Sequence, residues 1–199
     1  MKNKSGFTLI EMMTSIAMII MVTAIFVANY KSGSKRTDIT MTAQKLVADI
    51  HLAQNNTLGL VKYGNEFPSG GWGVNFDLNS FDSNKKYTIF ADLNYPDSTE
   101  PGQETSAQAG YMSYEPGEGE VALGGRVVDL PSGIIIDSMT TNYGPTSLAN
   151  VTFLPPDPTT NIFDGVNKGN YLTIVLKDIT ENITKTVRVN FLGLVEVVD

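Results

Sequence analysis

The sequence predicts an α+β fold in which one long N-terminal helix, half in a membrane and half soluble, packs on antiparallel β-sheets. Three observations predict it. Residues 7–30 form a strongly apolar run broken by a single carboxylate, Glu11. Helical periodicity resumes after that run, with no proline before Pro68. From Tyr63 onward the chain breaks into short β-rich runs separated by turn residues, with no further helical pattern.

Phe7 to Tyr30 is 24 residues, enough for a helix to cross a hydrocarbon core of about 30 Å. A cleavable secretory signal would have a shorter apolar core and a small-residue cleavage site after it. Here the run is long, and Ala24-Ile25-Phe26-Val27-Ala28 offers only weak support for such a site. Lys2 and Lys4 favour a cytoplasmic N-terminus, whereas Lys31, Lys35 and Arg36 beyond the span count against that orientation. Within the span, a central carboxylate costs roughly 2.5–3.5 kcal/mol on insertion scales, which makes Glu11 a candidate functional residue.

Lys31-Ser-Gly-Ser-Lys-Arg36 marks a weak point or kink, because Gly33 costs up to about 1 kcal/mol in a helix interior. An apolar stripe then recurs at three- and four-residue steps. It runs through Ile39, Ala43, Leu46 or Val47, Ile50, Ala53, Thr57 or Leu58, and Val61. Asp38, Gln44, Lys45, Asp49, Gln54 and Asn55 fall mostly off it. The second helical half is therefore expected over Asp38 to Lys62, its stripe facing the soluble domain.

Candidate strands follow at Trp72–Phe76, Lys86–Ala91, Glu120–Leu123, Arg126–Leu130, Gly133–Ser138, Asn150–Leu154, Tyr171–Leu176, Lys185–Phe191 and Leu194–Val198. Leu192-Gly193 suggests a tight hairpin ending the chain. Antiparallel sheets stacked on the helix fit this spacing. Asn94–Gly119, rich in Pro, Gly, Ser and Glu, reads as a long exposed loop, and Pro155-Pro-Asp-Pro158 as a rigid turn.

Charge divides the chain. Residues 1–62 hold seven Lys/Arg against three acids, a balance of +4, and residues 63–199 hold seven bases against eighteen acids, a balance of −11. So acidic a domain repels phosphate backbones, so nucleic acid is not an expected partner. There are no cysteines, hence no disulfides or thiolate ligands. No nucleophile elbow, phosphate loop or nucleotide fingerprint appears, so no enzyme and no cofactor is expected. His51, the single histidine, lies on or beside the helix stripe and reads as structural. Asp92, Asn94, Asp97 and Glu100 form an oxygen-rich cluster, but calcium takes six to eight oxygens and the spacing is not that of an EF-hand. Asp92, Asn94 and Asp97 are thus only weak metal candidates, read mainly as solvated loop acids. Trp72, between glycines, reads as core packing beneath a bend.

Lys2 and Lys4, then Gly6-Phe7-Thr8-Leu9-Ile10-Glu11 and a long apolar run, resemble the N-terminal signal of type IV prepilins and pseudopilins. The resemblance implies a leader over 1–6, cleavage after Gly6 by a prepilin peptidase, and methylation of the new Phe7 terminus. It further implies a membrane and assembly helix over 7–30, the soluble half of that helix over 31–62, and a β-rich pilin-like domain over 63–199. A free Phe7 amine, with a pKa of about 7.7–8.0, is largely protonated at neutral pH. In apolar surroundings it and Glu11 are each costly alone and attract one another. The family implies that this pairing runs between subunits and sets helix register during assembly. Methylation keeps the charge.

Gly71-Trp-Gly-Val74, Ile89-Phe-Ala-Asp-Leu-Asn94, Val151-Thr-Phe-Leu-Pro155 and Val187-Arg-Val-Asn190 followed by Gly193-Leu-Val195 look like H-type minor pseudopilins and FimT-like minor pilins. Some FimT-like proteins bind DNA through basic residues in a C-terminal loop. Asn190–Asp199 instead carries Glu196 and Asp199 and no arginine, which argues against that role. The expected function is a structural, minor filament subunit, single-pass in the cytoplasmic membrane with its C-terminal domain outside, then in a pilus or pseudopilus. The rival expectation is a permanently tethered extracellular adhesin or binding module that does not polymerise.

Overall fold

The computed structural model describes residues 8–93, 114, 126–154 and 159–198, and within these leaves the side chains of 28–34 undescribed. Two compact units divide the chain, Met1–Thr37 and Asp38–Asp199.

Helix α1 runs from Leu9 to Leu58 and continues through Gly33. Its first unit contains Leu9–Val27, 19 residues of mean hydropathy 2.2, long and apolar enough to cross a membrane. None of that segment is buried. Hydroxyl groups inside it are satisfied by the helix itself. Thr14 and Ser15 donate to the Glu11 carbonyl at 3.0 and 2.8 Å, and Thr23 to the Ile19 carbonyl at 2.7 Å. A hydrocarbon environment demands such internal pairing.

The second unit begins at Asp38. Ile39, Ala43, Leu46, Ile50 and Ala53 are fully buried, as the stripe predicts, and Thr42, Asp49 and Thr57 join them. The helix stops four residues short of the expected Lys62 because Leu60 turns left-handed, at φ 48°. Val61 N–H donates to the Asn56 carbonyl and Leu60 N–H to the Thr57 carbonyl, at 2.9 and 3.1 Å. This is a Schellman closure with leucine where glycine usually stands.

Eleven described strands build two wholly antiparallel sheets. Their ranges are β1 Gly71–Asp77, β2 Lys86–Asp92, β3 Arg126–Asp129, β4 Ile134–Thr141, β5 Gly144–Thr146, β6 Leu148–Leu154, β7 Thr159–Phe163, β8 Lys168–Gly169, β9 Tyr171–Asp178, β10 Ile183–Asn190 and β11 Val195–Val198. One sheet has the order β3-β2-β1-β6-β7-β8, the other β11-β10-β9-β4-β5. The layout is α+β and pilin-like.

Strands β5, β7 and β8 are not among the candidates that the sequence offers. The expected strand at Glu120–Leu123, most of the Asn94–Gly119 loop and the Pro155–Pro158 turn lie outside the described residues.

One apolar cluster joins α1 to both sheets: Val74, Phe76, Ile89, Val151, Phe153 and Ile162 from the first, and Ile136, Met139, Leu172, Ile174, Leu176, Val187 and Val189 from the second. Each such large side chain contributes about 1.5–3 kcal/mol on burial. The opposite face of the first sheet buries polar groups beside Phe90, whose ring lies 5.4 Å from that of Tyr114. Asn75 Nδ2 donates to Asn150 Oδ1 across β1 and β6 at 2.8 Å, and the Tyr114 N–H donates to the same oxygen at 3.2 Å.

Candidate processing and assembly site

The N-terminus of α1 is closed by a capping box. Thr8 precedes the first helical residue, and Glu11 stands three positions on. The Thr8 N–H and hydroxyl both donate to Glu11 Oε2 at 3.3 Å, while the Glu11 N–H returns a bond to Thr8 Oγ1 at 3.3 Å. Reciprocal bonds of this kind satisfy helix-end donors that have no partner within the helix. An acidic side chain in the first turn also faces the positive end of the helix dipole. The carboxylate of Glu11 therefore enters the apolar segment already held. Sequence reasoning missed Thr8, although Thr-x-x-Glu before an apolar run is the signature of such a cap.

Around this cap the apolar side chains lie open. Leu9, Ile10, Met12 and Met13 are all more than half exposed, and so are Ile19, Ile20 and Phe26 further along. Gly6 and Phe7, the expected cleavage and methylation positions, lie outside the described residues.

Residues 1–27 match the family model of the prokaryotic N-terminal methylation motif. The chain carries a type IV pilin-like prepilin signal. Comparison with curated proteins and with solved structures gives no match. The matched segment holds Lys2, Lys4, Gly6, Phe7, the Thr8–Glu11 cap and the whole Leu9–Val27 span of the signal.

In the second unit the remaining candidates separate. Asp92, read from sequence as a solvated loop acid, is instead fully buried at the end of β2. Its backbone carbonyl accepts the Gly70 N–H at 3.0 Å, and a Cβ on Gly70 would fall 1.9 Å from Asp92 Oδ2. The carboxylate thus lies flat against a glycine that leaves room for it. Asn94, Asp97 and Glu100 lie outside the described residues. Among the described residues no three His, Asp or Glu side chains converge as a metal site.

His51 is half-buried, its Nδ1 3.2 Å from Gln54 Oε1 one turn along α1. Trp72 covers the end of the helix. Its Nε1–H donates to the Val61 carbonyl at 3.0 Å, and its ring meets Tyr63 edge-on at 6.2 Å. Beneath it, Thr57 Oγ1 accepts the Trp72 N–H at 3.0 Å and faces the Phe153 carbonyl at 3.0 Å. Gly71 permits this seam: it has φ +83°, and a Cβ there would fall 1.8 Å from the Phe153 oxygen.

Proposed function

We propose that this chain is a minor structural subunit of a type IV pilus or of a type II secretion pseudopilus. In this reading a prepilin peptidase removes residues 1–6 by cutting between Gly6 and Phe7, and the new Phe7 terminus is methylated. The subunit then leaves the cytoplasmic membrane and joins a filament through residues 7–30. The observation that carries the reading is the prepilin signal over residues 1–27, which opens a membrane-length helix, Leu9–Val27, whose described side chains are exposed. In a filament, neighbouring copies of that helix would replace lipid with packed side chains.

Glu11 has a role in this scheme that its cap supports. Thr8 supplies two neutral donors, which hold the carboxylate but leave its charge uncompensated. A protonated Phe7 amine on an adjacent subunit supplies the missing cation, a pairing favoured strongly where water is scarce. The H-type and FimT-like likeness in Gly71–Val74 and in the C-terminal hairpin supports a minor rather than a major subunit. Arginine is absent from Asn190–Asp199, and that supports a protein-only assembly.

The reading is tested by co-expressing the wild-type chain and Glu11→Val with a pilus or pseudopilus system. Glu11→Val is processed normally yet stays in the membrane fraction while wild type enters sheared filaments. Equal incorporation of the two would remove Glu11 from the assembly mechanism. A permanently tethered adhesin, the second reading, would leave both in the membrane.

A further inference from the structure

We propose that β11 is a contact strand through which two copies of this chain pair edge to edge, as an antiparallel β11–β11 ladder. The inference stands apart from the N-terminal signal and rests on the ends of the two sheets. Four strands end them: β3 and β8 in one, β11 and β5 in the other. Three are protected in ways that discourage further pairing. Strand β5 contains Pro145, β8 is two residues long and begins with Lys168, and β3 carries Arg126 and Asp129 at its two ends. Strand β11, Val195-Glu-Val-Val198, has neither proline nor lysine and, among the described residues, pairs on one side only, with β10.

Its surroundings are apolar and open. Phe191, Leu192 and Leu194 are 55%, 71% and 57% exposed, and Val197 and Val198 of the strand itself are 37% and 39% exposed. An exposed apolar run beside an unpaired row of backbone donors and acceptors specifies another strand as its occupant.

Charge and register select a second copy. Arg188 lies directly across from Glu196 in the β10–β11 pairing, so the one charge within the strand has an opposite charge beside it although the domain is acidic. When Val197 of one copy faces Val197 of the other, Glu196 falls opposite Val198 on the same face of the joined sheet. No like charges then meet, whereas a two-residue slip of the pairing would set Glu196 against Glu196. A pairing of this symmetry closes at two copies.

The absence of cysteine makes the test direct. Residues directly opposed in such a ladder have Cα atoms about 4.5–5.5 Å apart, inside the range that a disulfide spans. Full-length Val197→Cys, oxidised mildly in membranes, is expected to give a disulfide-linked dimer in severalfold greater yield than Val166→Cys. Val166 is 82% exposed and lies in the turn between β7 and β8. Adding Val198→Lys to Val197→Cys abolishes the cross-link and leaves thermal melting unchanged. Equal yields at the two positions, a cross-link that survives Val198→Lys, or one formed to a different protein would each overturn the proposal.

Discussion

Tyr87 of β2 donates a hydrogen bond to Oδ2 of Asp49 on α1 at 2.5 Å, tying the helix to the first sheet inside the core. Both side chains are buried. Burial is the largest influence raising the phenol's pKa far above its ordinary value, and the bond to Asp49 and the Asp49 charge add to it. Arg126 opposes the shift without cancelling it.

Tyr87→Phe deprives a buried carboxylate of its donor, so it lowers unfolding free energy by about 1–3 kcal/mol at neutral pH. The pH dependence has a definite sign. The folded state binds the Tyr87 proton more tightly than the unfolded state, so this contribution is complete below the ordinary tyrosine pKa and is lost as pH rises above it. Urea melts between about pH 9 and pH 11 should therefore weaken wild type more steeply than Tyr87→Phe. Parallel curves would show that Tyr87 ionises as it does in water.

Thr57 links three elements with one hydroxyl. Replacing it by valine keeps its shape but strands the Trp72 N–H and the Phe153 carbonyl at the helix end. Thr57→Val is expected to cost about 1–3 kcal/mol. The measurement is chemical denaturation, with the Trp72 emission as a local probe of the same seam.

Leu60 sits at φ 48° and is 53% exposed, so it carries left-handed strain with little packing to offset it. Leu60→Gly relieves about 1–2 kcal/mol of strain against about 0.4–1 kcal/mol of added unfolded-state entropy. A small rise in stability should follow, and a fall would mean that the Leu60 side chain contributes more than its exposure indicates.

Much of this was legible in the sequence because periodicity reports burial. The stripe Ile39, Ala43, Leu46, Ile50, Ala53 and the alternation of Tyr171–Leu176 both mark side chains that face the core. What periodicity misses is burial made tolerable by a partner far along the chain. Asp49 reads as off the stripe, yet it is buried because Tyr87, 38 residues away, bonds to it. Asp92 reads as a loop acid because nothing local reveals the glycine it lies against. Strand β7, Thr159-Thr-Asn-Ile-Phe163, looks polar because Asn161 and Thr160 are buried within the sheet, where Asn161 reaches Thr152 on β6. The Thr8–Glu11 cap, by contrast, is wholly local: Thr-x-x-Glu stands directly before the apolar run.

Mass spectrometry of the N-terminus of the mature chain, purified from a cell that has a prepilin peptidase, tests the central claim most directly. The expected species begins at Phe7 and carries one methyl group on its amine. An intact Met1, or a chain beginning after Ala28, would contradict it.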